Sequence, residues 1–440
     1  MTEKTTVFDP SQLTPLPEEW AAALDQSIEP VRQRLSGAGK AGLAAMFDAC
    51  YRSTLETATE ISTDGSFFIL TGDIPAMWLR DSSAQVRHYL AAAPAQPLFA
   101  RLVKGVLHRQ MHCILADPYA NAFNREADGS GWQDDLTTMS PAVWERKYEI
   151  DSLCHPFHLA WDYFQATGDN PMAEVVFQQA LQQVIRVWQT EQDHNRSPYH
   201  FQRLSGPPSD SLPHNGHGNP VQPVGMTWSG FRPSDDACQY GYLIPSNLFA
   251  AQVLQECYDM LRYANAELAG RCQSLRQQIL TGVREHGHYQ HPVFGPIYAY
   301  ETDGMGHYNL MDDANVPSLL SLPYLGICGP DDEVYQNTRR FVLSRHNPYY
   351  FAGTAARGVG SPHTPGPNIW PISLCVQGLT TSDPSEVEAL LNTLEQTTAG
   401  TGLMHESFNC NQPSDYTRPW FAWANSIFAE LILHYLRLIA

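Results

Sequence analysis

Positive charge is scarce in these 440 residues: 27 Lys+Arg stand against 46 Asp+Glu, a formal balance of −19 with histidine neutral. A nucleic-acid-binding face needs basic residues that displace counterions, so that partner class is argued against. Long apolar runs are also missing; no window approaches the roughly 18 uncharged apolar residues that a membrane span requires. The stretch MTEKTTVFDPSQLTPLPEEW contains no apolar leader core. Charged residues make up only 17% against 43% hydrophobic, which is the opposite of a disordered composition. Nine cysteines form an odd set without a CxxC pair, so reduced, buried thiols and a cytoplasmic location are expected. No low-complexity tract, charge block or Pro/Ser linker divides the chain, and residues 1–440 read as a single domain.

The periodicity that is present is helical. In the last stretch Trp420, Ala424, Ile427, Leu431 and Tyr435 share one face, and Phe249, Val253, Leu254, Cys257 and Leu261 do so in 246–263. Similar patterns place helices near 40–60, 82–93, 97–115, 145–167, 172–191, 266–285, 331–345, 369–380 and 385–398. Between them lie segments rich in Gly, Pro, Asp, Asn and aromatics: 62–81, 116–144, 196–235, 286–317, 346–368 and 400–419. Plain connectors run about 4–6 residues, and loops this long are usually functional. Short strand-like runs such as Ser66 to Leu70 suggest hairpins inside them. Helices alternating with elaborate loops, without a βαβ rhythm, predict an all-α toroid of paired helices with its loops gathered at one end. An irregular all-α domain is the alternative.

The loops repeatedly mix carboxylates with tryptophan and tyrosine, the combination that binds sugars: apolar faces stack on rings while hydroxyls need polar partners. TGDIPAMWLRDS (71–82) holds Asp73, Trp78, Arg80 and Asp81. These could clamp vicinal hydroxyls or form a buried ion pair tying the loop down. WERKYEIDSL (144–153) carries Glu145, Arg146, Lys147, Glu149 and Asp151, a charge run of the kind that is usually a solvated helix face. In TWSGFRPSDDACQYGYLIPSN (227–247), Pro233-Ser234-Asp235-Asp236 resembles a capped helix start. Adjacent acids raise one another's pKa, as a general acid needs, whereas a helix N-terminus lowers it. TGLMHESFN (401–409) contributes Glu406, a lone loop acid unless it partners Asp235 or Asp236, since glycoside hydrolysis needs two carboxyls about one bond. MDDANVPS (311–318) and GSPHTPGPNIW (360–370) add Asp312, Asp313, Asn315, His363 and Trp370, or ordinary turn chemistry.

A metal role has one weak candidate, His108 and His112 on one helix face, without the Glu of HExxH. There is no phosphate loop, no GxSxG elbow and no strand followed by GxGxxG.

TGDIPAMWLRDS, DPYANAFN (117–124), WERKYEIDSLC, TWSGFRPSDDACQYGYLIPSN, MDDANVPSLL and MHESF, in this order across at least 60–425, together resemble glycoside hydrolase family 125, the bacterial and fungal exo-α-1,6-mannosidases. The resemblance implies an (α/α)6 barrel hydrolysing non-reducing terminal α-1,6-linked mannose by an inverting, metal-independent mechanism, with no cofactor. It places the general acid at Asp235, with Asp236 as fallback, and the general base at Glu406. It also implies that Asp73, Trp78, Arg80, Asp81, Arg146, Lys147, Arg232, Asp312 and His363 line the sugar pocket. A mannose-containing oligosaccharide is the expected partner, and a monomer the expected state. A glucoamylase-like glucosidase, a sugar epimerase and a non-catalytic carbohydrate-binding protein remain alternatives.

Overall fold

Two kinds of helix alternate along the chain, and burial separates them. The computed structural model describes residues 8–62 and 64–439; the first seven residues of the stretch read above for a leader lie outside it. Its helices are α1 (Glu18–Gly37), α2 (Ala41–Thr57), α3 (Leu79–Arg87), α4 (Pro97–Ala116), α5 (Ile150–Thr167), α6 (Val175–Glu191), α7 (Pro213–Gly216, one distorted turn), α8 (Ile244–Leu261), α9 (Ala266–His286), α10 (Glu333–Val342), α11 (Pro371–Leu379), α12 (Pro384–Gln396) and α13 (Ala422–Leu438). In α4 and α6 only one stripe is buried, for example Phe99, Leu102, Val106 and Ile114 in α4. α3, α11 and the starts of α5, α8 and α13 are instead buried on all sides.

That difference defines an inner and an outer ring. α3 packs on α5 and α13, α5 on α8, and α11 on α13, forming the inner wall, while α2, α4, α6, α9, α10 and α12 pack outside it. Between α8 and α11 the inner wall is continued by buried turns over 316–327 rather than by a helix. Val316 O meets His155 on α5, Leu320 O accepts from Tyr335 on α10, and Tyr324 donates to Glu430 on α13. The architecture is the mostly helical α/α toroid that the loop rhythm predicted, with the six-fold pairing that the family resemblance implied. Nearly all its buried apolar side chains form one cluster, Ala76, Trp78 and Ala122 standing apart.

Sharp local signals set the helix ends. Asn265, Asp332 and Asp383 cap α9, α10 and α12 through their side chains, and Gly168 closes α5 in the left-handed region. α1 has no counterpart in the sequence expectation. Its interior Pro30 hides the Trp20, Leu24, Ile28, Leu35 stripe that it buries.

Because outer and inner elements alternate, every outer-to-inner connection emerges at the same end, the N-terminal end of the inner helices. The six long loops are these six connections. Three small sheets brace them: 77–78 with 122–123 and 143–145, 242–243 with 301–302 and 308–309, and 368–369 with 407–409 and 416–417. The hairpin anticipated at Ser66–Leu70 is strand 67–69 pairing with 59–61.

Candidate active site

At that end a cavity is lined by Trp78, Arg80, Asp81, Asp235, His363 and Glu406, together with Asn315, Trp370, Arg418 and Phe421. Five of the six long loops supply these residues or lead directly into the helix that carries them. A larger cleft, about 750 Å³, lies against α1 and α2. Its wall contains no aromatic ring, and its Arg52, Asp25 and Asp48 are spent on one another. Size therefore does not select the site; convergent rings and carboxyls do.

The Asp235-Asp236 doublet is not a helix start. Asp235 N–H donates to Arg232 O at 2.9 Å, Arg232 N–H donates to Asp236 O at 2.8 Å, and α8 begins only at Ile244. Asp235 sits in the left-handed region at φ 68°, a conformation aspartate tolerates at a cost of about 1–2 kcal/mol. The turn sends the two carboxyls apart. Asp235 Oδ1 accepts from Arg80 Nη2 and Asn121 Nδ2, both at 3.4 Å, and 26% of its side chain stays exposed. Asp236 is buried and pairs with His363 Nδ1 at 3.2 Å.

WERKYEIDSL is not a solvated helix face either. Glu145 ends a strand, α5 starts at Ile150, and Glu145, Lys147, Glu149 and Asp151 are all buried. Arg80, itself 3% exposed, is their counter-ion: its Nη1 reaches Glu149 Oε2 at 2.6 Å and Asp151 Oδ2 at 3.0 Å, and its Nε lies 3.7 Å from Asp81. The buried ion-pair reading of TGDIPAMWLRDS is thus what the contacts show, and Arg80 and Asp81 also line the cavity. Lys147 Nζ donates to Asp210 Oδ1 at 2.7 Å and to the Asp235 carbonyl at 2.8 Å, clamping the turn from behind.

These contacts divide the carboxyls electrostatically. Burial works to raise Asp235, but the charges of Arg80 and Lys147 outweigh it and hold this carboxyl well below the usual carboxylate range. Burial pushes Glu149 well up, and the Asp235 charge adds to the effect against Arg80. Burial raises Asp81 to about 6 despite Arg80. At His363 burial acts downward, but the hydrogen bond it donates to Asp236 and the Asp236, Glu406 and Asp235 charges prevail, raising it to about 9.

Glu406 is 5% exposed. Its Oε2 accepts from Thr417 Oγ1 at 2.9 Å and its Oε1 from Arg418 Nη1 at 3.3 Å. Arg418 also donates through Nε to Asp73 Oδ1 at 3.0 Å, so Asp73 reaches the site through Arg418. The neighbouring His405 stacks on Tyr416 with ring centroids 3.7 Å apart and bonds Thr398 O at 3.2 Å, a packing role.

Three other candidates stand behind the cavity wall. Arg146 pairs with Asp117 at 2.6 Å and lies over the Tyr119 and Tyr199 rings. Arg232 pairs with buried Glu301 at 2.6 Å. Asp312, raised to about 8 by burial, accepts from the backbone of Leu319 and Leu320 at 2.8 and 3.0 Å. Sequence reasoning missed Arg418, Thr417 and the direct role of Asn121. Arg418 carries a usable signal, being the one Lys or Arg of loop 400–419.

Among the described residues no three His, Cys, Asp or Glu side chains converge as metal ligands; His108 faces Glu174 at 3.1 Å instead. Nor is any described helix long and apolar enough to cross a membrane. All nine cysteines are unpaired, and all but Cys328 are buried.

Comparison with known proteins gives this assembly its context. Residues 40–433 match the family described as metal-independent alpha-mannosidases, GH125. The chain therefore belongs to glycoside hydrolase family 125. It is 44% identical to a Streptococcus pneumoniae metal-independent α-mannosidase solved in a non-productive complex with α-1,6-mannobiose, with a TM-score of 0.92 over 94% of this chain and 98% of that one. It is 39% identical to the meiotically up-regulated gene 157 protein of Schizosaccharomyces pombe, over 93% of this chain and 85% of that protein. A bacterial glucoamylase bound to acarbose shares the fold alone, at 13% identity and TM-score 0.56 over 92% of this chain and 59% of that one.

Proposed function

We propose that this α-mannosidase removes non-reducing terminal α-1,6-linked mannose with inversion of configuration, using Asp235 as general acid and Glu406 as general base. The observation that carries the proposal is that these two acids, from loops 171 positions apart in sequence (406 − 235), line one cavity and are held by separate cation sets. In an inverting hydrolysis one carboxyl protonates the departing glycosidic oxygen while the other deprotonates a water on the opposite face, across a gap of roughly 6.5–9.5 Å. Arg80 and Asn121 aim Asp235, and Arg418 and Thr417 aim Glu406. Trp78, Trp370 and Phe421 offer rings to the apolar face of the sugar, while Asp81, Asn315 and His363 offer hydroxyl partners.

Exo action needs a cavity that ends behind one sugar. Thr71, Ile74 and Trp78 of loop 62–81 and His363 and Trp370 of loop 360–370 line the cavity, and we assign the closure to these two loops. The complex of the pneumococcal relative with α-1,6-mannobiose supports the linkage. A cytoplasmic location fits the nine free thiols, and we take the enzyme as a monomeric single domain.

Proton NMR of α-1,6-mannobiose hydrolysis tests this reading, with β-mannose appearing before mutarotation. Glu406→Ala is expected to lower turnover by about 10²–10⁴-fold, and azide to restore it as β-mannosyl azide. α-Mannose as first product, or a fully active Glu406→Ala protein, overturns the assignment. Hydrolysis of maltose in place of mannobiose would return the glucosidase reading.

A further inference from the structure

Glu149 does not itself line the cavity, yet it is among the most enclosed acids of the site. Its side chain is fully buried. Oε2 accepts from Arg80 at 2.6 Å and from the Ser152 hydroxyl at 2.7 Å, but buried Oε1 has no donor from the protein. The Glu149 and Asp235 carboxyls meet on one guanidinium, Glu149 at Nη1 and Asp235 at Nη2 of Arg80. Two carboxylates crowded onto one cation repel unless one of them holds a proton.

The surrounding charges require that proton. Arg80 and Asp81 face the pair from α3, and Asp151 from α5. Lys147 and Glu145 approach from the 143–147 segment, with Lys147 shared between Asp210 and the Asp235 carbonyl, and His363 comes from the 360–370 loop. Around Arg80 itself four carboxyls, Glu149, Asp151, Asp235 and Asp81, share one guanidinium. Unbalanced buried negative charge is relieved by retaining a proton.

We propose that Glu149 is the proton-holding partner of the general acid: in the free enzyme it keeps the proton that Asp235 delivers to the glycosidic oxygen. The inference rests on the acid assignment above. Asp235 is open to water and faces two cations, so it stays anionic while sealed Glu149 carries the proton. The opposite pKa displacements of the two groups agree with that division. A sugar entering the cavity strips water from Asp235, and the proton crosses from Glu149 Oε1 to an Asp235 oxygen, leaving Glu149 as the carboxylate paired with Arg80. Asp235 then gives the proton to the leaving oxygen as the C–O bond breaks, and Glu406 accepts a proton from the attacking water. Release of the Glu406 proton to solvent and uptake of one by the Glu149–Asp235 pair restores the enzyme. Glu149 acts through Asp235 and is a positioning residue.

The test compares two substrates across pH in the full chain: α-1,6-mannobiose, whose leaving group needs a proton, and α-mannosyl fluoride, whose leaving group does not. Glu149→Gln is expected to lower kcat/KM for mannobiose by about 10²-fold at pH 8, to move its basic limb to lower pH, and to change fluoride turnover by less than threefold. Glu149→Asp, which keeps an ionisable group but withdraws it by one methylene, is expected to show the same selectivity more weakly; it carries the test should Glu149→Gln not fold. Equal losses on both substrates with an unchanged pH profile overturn the inference. Asp235→Asn separates the two levels. If it too spares the fluoride while Glu149→Gln does not, only the proton-holding role fails; if Asp235→Asn impairs both substrates equally, the acid assignment fails.

Discussion

Replacing Arg80 by methionine isolates the electrostatic balance of this site. The side chain is 3% exposed and bonds Glu149 at 2.6 Å and Asp151 at 3.0 Å, with Asp235 at 3.4 Å and Asp81 at 3.7 Å. Methionine fills much of the volume, so the dominant loss is the counter-ion. Removing one partner of a buried pair costs about 3–5 kcal/mol, because the other charge is left uncompensated. With an unfolding entropy of about 2.1 cal/mol/K per residue, 440 residues give ~0.9 kcal/mol/K, so Tm should fall by ~3–5 °C. The loss must depend on pH. Glu149, Asp151 and Asp81 already have folded-state pKa values above their unfolded ones, Asp81 at about 6. A carboxyl raised in this way penalises folding as pH climbs from its unfolded value, about 4, through its folded value. Without Arg80 these groups rise further. The Tm deficit of Arg80→Met is therefore largest at pH 8 and shrinks towards pH 5, where the acids take up protons. Adding Glu149→Gln removes the cost of burying an acid that must hold a proton or stand uncompensated, and should recover part of the deficit. Scanning calorimetry of wild type, both single variants and the double variant between pH 5 and 8 provides the assay. A pH-independent deficit, or strictly additive variants, would refute the reasoning.

Three further outcomes follow from other contacts. His363, raised to about 9, contributes its ion pair with Asp236 fully below the unfolded value near 6.5 and loses it as pH rises through about 9; the Tm gap between wild type and His363→Gln should close over that interval, and a constant gap would contradict it. Arg418→Leu frees both Asp73 and Glu406, so kcat on mannobiose should fall by about 10²-fold with a smaller change in KM, measured by steady-state kinetics. Trp20→Ala empties a site that is 1% exposed beneath α1 and should cost about 3–5 kcal/mol in denaturant unfolding while the folded fraction keeps its kcat.

Helical periodicity along the sequence determined the outer ring well, because α4, α6, α9 and α12 each bury one stripe and expose the rest, the pattern that a 3.6-residue repeat records. The length and composition of the six loops also survived folding unchanged as information: they mark the outer-to-inner connections, and alternation in a closed ring sends all of them to one end. Asp235 and Glu406 were singled out by the family resemblance of their motifs, because residue types alone left one as a possible helix cap and the other as a lone loop acid. What the sequence left open was decided by neighbours distant along the chain. Burial on all sides erases periodicity in the inner wall, so residues 316–327 could not be told as turns, and Pro30 masked α1. Whether WERKYEIDSL was a solvated face depended on Arg80, some 70 positions away, and whether Asp235-Asp236 capped a helix depended on Lys147, Arg80 and His363 separating the two carboxyls. Protonation is set by burial and by charges within a few ångströms, and only the closed toroid brings those charges together.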